Sequence, residues 1–192
     1  MKNIIIIPGL GDYSERIRQL VHGWESARIH LTMFLVDWSK GNYTEEMKRL
    51  LRVIDELATA NNPIGIIGIS AGGSLAINAL AEVPDRVRQV VNICGRVTRS
   101  GYSVMRPLAL YSRTHPVFIE SVQHCEENID AIDKGKLLTI SGYFDEVVSA
   151  SSVAVSGATN MRVPSIMHAV NIYLALTYPF TRDKIIQFVS SE

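Results

Sequence analysis

The residues best suited to chemistry stand in one stretch, Gly68-Ile69-Ser70-Ala71-Gly72, with an apolar run from Ile64 before it and an Ala/Leu/Ile pattern at helical spacing after it. This spells strand, sharp turn and helix. A serine at the tip of such a turn lies in strained backbone, and Gly68 and Gly72, two residues to either side, lack the side chains that would collide there. Ser70 is thereby pushed outward. The start of the helix also aims free backbone N–H groups, that of Ala71 among them, at negative charge forming beside the hydroxyl. A serine hydroxyl is a poor nucleophile until a base takes its proton, and the base needs a carboxylate to orient it. The competing reading makes Ser70 a simple helix cap between two turn glycines.

At these residues the chain resembles the α/β-hydrolase superfamily, whose nucleophile elbow reads Gly-x-Ser-x-Gly. The resemblance implies the order nucleophile, acid, histidine along the chain. Downstream of Ser70 the histidines are His115, His124 and His168. His168 follows the sixth predicted strand in Pro164-Ser165-Ile166-Met167-His168, at the sheet edge from which a side chain could reach Ser70. His115 and His124 fall at the start of, and along, an amphipathic helix. For the acid, Ser141-Gly142-Tyr143-Phe144-Asp145-Glu146-Val147-Val148 resembles the family's Gly-x-x-Asp-x-x-Val loop and singles out Asp145. Glu146 lies one position too far along and is expected to face solvent, while Asp145 could also cap a helix beginning near Val147. A second oxyanion donor is assigned by analogy to the N–H of Leu10, in Pro8-Gly9-Leu10-Gly11, where many relatives carry His-Gly. Ile69 likewise stands where a histidine is common. The resemblance thus implies a serine hydrolase acting on an ester, thioester or related acyl bond of a small molecule, through Ser70, Asp145 and His168, without cofactor or metal.

The elements that must hold these residues alternate. Residues 3–7, Asn-Ile-Ile-Ile-Ile, read as a strand buried on both faces, and a helix from Ser14 to about Ala27 carries Ile17, Leu20, Val21 and Trp24 on one stripe. A second strand runs from Leu31 towards Asp37-Trp38. Thr44 is expected to cap the second helix, whose Met47, Leu50, Leu51, Ile54 and Leu57 face the sheet. After the Ser70 unit, which Pro84 ends, strands are expected at Arg88–Cys94, Lys136–Ser141 and Met161–Ile166, and the last helices at His168–Thr177 and Thr181–Ser190. The fold class is therefore α/β, a three-layer, doubly wound, mostly parallel six-stranded sheet. The resemblance gives it strand order 2-1-3-4-5-6 and makes it a minimal α/β-hydrolase, one domain spanning residues 1–192.

One segment breaks the rhythm. About forty residues, Gly95 to Gly135, separate the fourth and fifth strands, where a crossover needs only a dozen or more. Phe118, Val122, Cys125, Ile129 and Ile132 mark a helix there, opened by Thr114 or His115 with Pro116 in its first turn. The resemblance implies a helical cap over residues 95–135, with Tyr102, Met105, Tyr111 and Phe118 lining a substrate pocket; an extra helix packed on the sheet is the alternative.

Lys plus Arg equals Asp plus Glu, at 19 each in 192 residues, so no global field draws the chain to nucleic acid or an anionic membrane. Cys94 and Cys125 read as reduced thiols of a cytoplasmic protein. Four isoleucines ended by Pro8-Gly9 are too few for a signal-peptide core or a membrane span. No histidine and carboxylate cluster has metal-ligand spacing, and His22 and His30 are isolated. Two rivals remain: a non-catalytic binding protein of the same fold, and a dinucleotide-binding fold using Gly9, Gly11 and Asp37, in which Ser14 replaces the third glycine. The oligomeric state is left open.

Overall fold

The four isoleucines occupy the middle of the sheet. They lie in β1 (Lys2–Ile7), where Ile5 and Ile7 face one side and Ile4 and Ile6 the other, all fully buried. Alternation along a strand makes this inevitable, so a strand covered on both faces must be apolar throughout. The structure, a computed structural model, describes residues 2–11, 13–25, 29–100, 111 and 113–191.

β1 lies between β2 (Ile29–Met33) and β3 (Ile64–Ile69), followed by β4 (Val87–Ile93), β5 (Leu137–Gly142) and β6 (Thr159–Val163). All neighbours run parallel in the order β2-β1-β3-β4-β5-β6. Helices α2 (Tyr43–Leu57), α3 (Gly72–Glu82) and α4 (Pro116–Asn128) cover the face of Ile5 and Ile7; α1 (Ser14–Val21), α6 (His168–Thr177) and α7 (Pro179–Ser190) cover the other. A one-turn helix, α5 (Ala150–Val153), lies between β5 and β6. This is the expected three-layer, doubly wound sheet.

Element ends depart from expectation for local reasons. β2 stops at Met33, short of Asp37, because the last ladder bond is Phe34 N–H to Ile6 C=O at 2.9 Å and the next donor would be Pro8, which has no N–H. β6 stops at Val163 because the chain turns at Pro164, Ser165 N–H donating back to Val163 C=O at 2.8 Å. Asn42, not Thr44, caps α2, its Oδ1 accepting from Glu45 N–H at 3.3 Å. Asparagine is among the best N-caps, and its carbonyl oxygen reaches the third helical N–H. The first helix ends at Val21 and tightens to a 3₁₀ turn over His22–Trp24; residues 26–28 lie outside the described set. Among the described residues no helix is long and apolar enough to cross a membrane.

The strand order reverses between β1 and β3, and this builds a crevice. The chain leaves β1 for α1 on one face and leaves β3 for α3 on the other, so the loops diverge over the C-terminal ends of the two strands. Register pairs Ile7 with Gly68, which brings Gly9 alongside Ser70.

Candidate active site

Ser70 sits one residue past β3 with φ of +52°, a left-handed conformation that disfavours a side chain. The strain holds because neighbours dictate it. Ser70 N–H donates to Ile93 C=O at 2.8 Å and its own C=O accepts from Gly73 N–H at 3.0 Å. The glycines are needed for space: a Cβ on Gly72 would run into the Ile7 carbonyl, and one on Gly68 would strike Gly72 and Gly73. A Cβ on Gly9 would lie 2.8 Å from that of Ser70. The Gly9 carbonyl is in turn held by the Trp38 indole N–H at 3.1 Å.

Three predicted residues come together. Ser70 Oγ lies 3.0 Å from His168 Nε2, and His168 Nδ1 lies 2.8 Å from Asp145 Oδ2. They are 98 and 23 positions apart in sequence. Asp145 is buried, and its other oxygen accepts the N–H groups of Val147 at 2.9 Å and Val148 at 2.7 Å. Burial raises the Asp145 pKa, but the hydrogen bond and charge of His168 and the two backbone donors outweigh it and hold the carboxyl below its ordinary value. The aspartate therefore closes the turn after β5 and faces the imidazole at once.

Two neighbours were not anticipated. Asn171, fully buried one turn past His168 on α6, donates from Nδ2 to Asp145 Oδ2 at 3.1 Å and to Phe144 C=O at 3.0 Å. The i, i+3 spacing from His168 on one helix was the available signal. Its amide presses against Gly142, where a Cβ would overlap it, which supplies a reason for the glycine of the Gly-x-x-Asp-x-x-Val pattern. Glu146, expected in solvent, instead accepts the backbone N–H of His168 at 2.8 Å. His168 is the first residue of α6, where the sequence places the start of that helix, and its N–H is one of those a helix start leaves unpaired. Asn171→Ala is expected to lower kcat about tenfold with little change in KM, because one charge-assisted hydrogen bond to Asp145 is lost; steady-state kinetics beside a melting curve measure this.

Leu10 and Ala71 line a cavity with Ser70, Arg96, Tyr111, Phe118, Val147 and Val148. Ala71 stands at the N-terminus of α3, where helical N–H groups point outward. Tyr111 and Phe118 meet edge to face with centroids 5.7 Å apart, and Phe118 meets Trp38 the same way at 6.4 Å. Tyr102 and Met105 lie outside the described residues. α4 carries Phe118 into this wall and is fastened to α3 by Ser74 Oγ to Ser121 Oγ at 2.8 Å and Asn78 Nδ2 to Ser121 C=O at 2.9 Å. His115 precedes α4 and bonds Thr114, and His124 stacks on Tyr43; neither is part of the Ser70 group.

The features of the dinucleotide reading are otherwise engaged. Asp37 turns its carboxylate onto the N–H groups of Lys40 at 2.9 Å and Ser39 at 3.2 Å, while Gly9 packs on Ser70.

No protein-family model matches this sequence, and no curated protein does. Solved structures share its architecture. One of the two metagenome-derived lipolytic enzymes LipS and LipT superposes with a TM-score of 0.73 over 99% of this chain and 94% of its own, at 11% identity. The monoacylglycerol lipase of Paleococcus ferrophilus gives 0.67 over 98% and 94%, at 16% identity. A thioesterase domain from the curacin biosynthetic pathway gives 0.68 over 96% and 90%, at 11% identity. The chain has the α/β-hydrolase fold.

Proposed function

We propose that this protein is a serine hydrolase cleaving an ester, thioester or related acyl bond of a small molecule through an acyl-enzyme intermediate. The observation that carries the reading is the unbroken line of contacts from Ser70 Oγ through His168 to Asp145, at 3.0 and 2.8 Å. His168 Nε2 takes the proton of Ser70 as Oγ attacks the carbonyl, and the N–H groups of Leu10 and Ala71 hold the oxyanion. Asp145 keeps the proton on Nδ1 and stabilises the imidazolium. The leaving group departs with the proton from Nε2, and water releases the acyl group by the reverse transfers. The similarity in fold to lipolytic enzymes and a thioesterase supports acyl chemistry as the class. Tyr111 and Phe118, from the segment between β4 and β5, wall the cavity beside Ser70. The two buried free cysteines favour a reducing, cytoplasmic setting.

A fluorophosphonate probe should label the wild-type protein, and peptide mapping should find the adduct on Ser70; an adduct elsewhere refutes the assignment. The reaction needs His168 neutral, so activity is lost on acidification. Asp145, with its pKa held below the ordinary carboxylate value by His168 and two backbone donors, stays ionised to lower pH than a free carboxylate. The acid limb of log kcat/KM should therefore fall with the slope of one proton, and a slope of two would remove Asp145 from its role.

A further inference from the structure

The wall of the cavity beside Ser70 contains a cation. Arg96, three residues past β4, lines the same space as Ser70, Ala71 and Leu10, yet it is only 3% exposed. A guanidinium has five N–H donors. Nη1 donates to Ser100 C=O at 3.2 Å, and no ion pair to Arg96 forms among the described residues. The neighbouring segment 101–110, Gly-Tyr-Ser-Val-Met-Arg-Pro-Leu-Ala-Leu, contains no acidic residue. Burial pulls the Arg96 pKa down, opposed in part by Tyr111, but a guanidinium remains charged at any physiological pH. A charge held among Leu10, Phe118, Val147 and Val148 with no carboxylate partner among the described residues costs stability. An anion arriving with the substrate would restore the balance.

Building on the hydrolase reading, we propose that Arg96 binds a carboxylate at the far end of the acyl group, so that the preferred substrates are half-esters of short dicarboxylic acids. The cavity also holds the proposed oxyanion donors, so whatever fills it must be attached to the carbonyl that Ser70 attacks. At about 30 Å³ the cavity is small, which favours a short chain. The leaving alcohol has wider space: a groove of about 350 Å³ begins at Gly9, the residue packed on Ser70, and runs past Gly11, Trp38 and His115. A planar guanidinium fork matches a carboxylate, and the apolar surroundings strengthen the pair. Ser70 Oγ forms the new ester bond as the alcohol leaves with its proton from His168, and water then frees the dicarboxylic acid.

Hydrolysis of monomethyl malonate, succinate and glutarate is compared with that of neutral methyl esters of matched length, and with 4-acetoxybenzoate, whose charge lies on the leaving group. The wild type should favour the best half-ester about 10- to 100-fold in kcat/KM over its neutral partner. The ratio should fall towards one in Arg96→Met. A wild-type ratio near one, a ratio that survives Arg96→Met, or a preference for 4-acetoxybenzoate overturns the proposal. Should Arg96→Met not fold, Arg96→Lys and the wild-type ratios decide. Calorimetry with glutarate separates the two readings: if no ester is cleaved and no probe taken up, the hydrolase reading falls. Glutarate binding that disappears in the Arg96 variant still supports an anion site, while equal binding in both, or none, overturns it.

Discussion

Ser70→Ala is expected to lower kcat for a nitrophenyl ester by about 10⁴- to 10⁶-fold and to abolish fluorophosphonate labelling. Without Oγ no acyl-enzyme can form, and water must attack without a covalent partner. The proposed oxyanion donors, the N–H groups of Leu10 and Ala71, are left in place, so a residual rate above the uncatalysed reaction should persist. The substitution removes only the atom that meets His168 and keeps the Cβ against which Gly9 packs. Stability should therefore change by no more than about 1 kcal/mol, and an unchanged melting temperature assigns the loss to chemistry. Activity within tenfold of wild type would take Ser70 out of the mechanism.

Asp145→Asn should cost about 10⁴-fold in kcat while the fold survives. The carboxylate accepts from Val147 and Val148 on one oxygen and from His168 and Asn171 on the other. An amide has one acceptor and one donor end. The backbone donors cannot turn away, so the asparagine oxygen stays on them and its NH₂ faces His168. Nδ1 must then become the acceptor, which moves the imidazole proton to Nε2, where it blocks uptake of the Ser70 proton. Asn171 cannot repair this by turning over, because its oxygen would then face the Phe144 carbonyl. A kcat within tenfold of wild type in Asp145→Asn would show that Asp145 does not set the tautomer.

Much of this arrangement was legible because it rests on short-range rules. The isoleucines of β1 must be apolar on both faces, the glycines around Ser70 are forced by contact, and Asp145 holds the turn after β5 through the N–H groups of Val147 and Val148. What escaped was mostly a matter of partners. Glu146 reads as a solvent acid until α6 starts beside it with an unpaired N–H. Asn171 belongs to no motif in the sequence, and its role emerges only when Asp145 is placed against it. Arg96 carries no motif that sets it apart in the sequence, and only the surrounding wall buries it.

By itself the sequence determined the alternation of strands and helices and the strained turn at Ser70, because these depend on periodicity and backbone sterics within a few residues, whereas Asp145 and His168 were singled out by the resemblance of their stretches to the α/β-hydrolase pattern. The tertiary structure alone decided the strand ends, the contact of Ser70 with His168 across 98 positions and the burial of Arg96. Those follow from parallel pairing: the reversal of strand order between β1 and β3 opens the crevice, and register then sets which side chains share it.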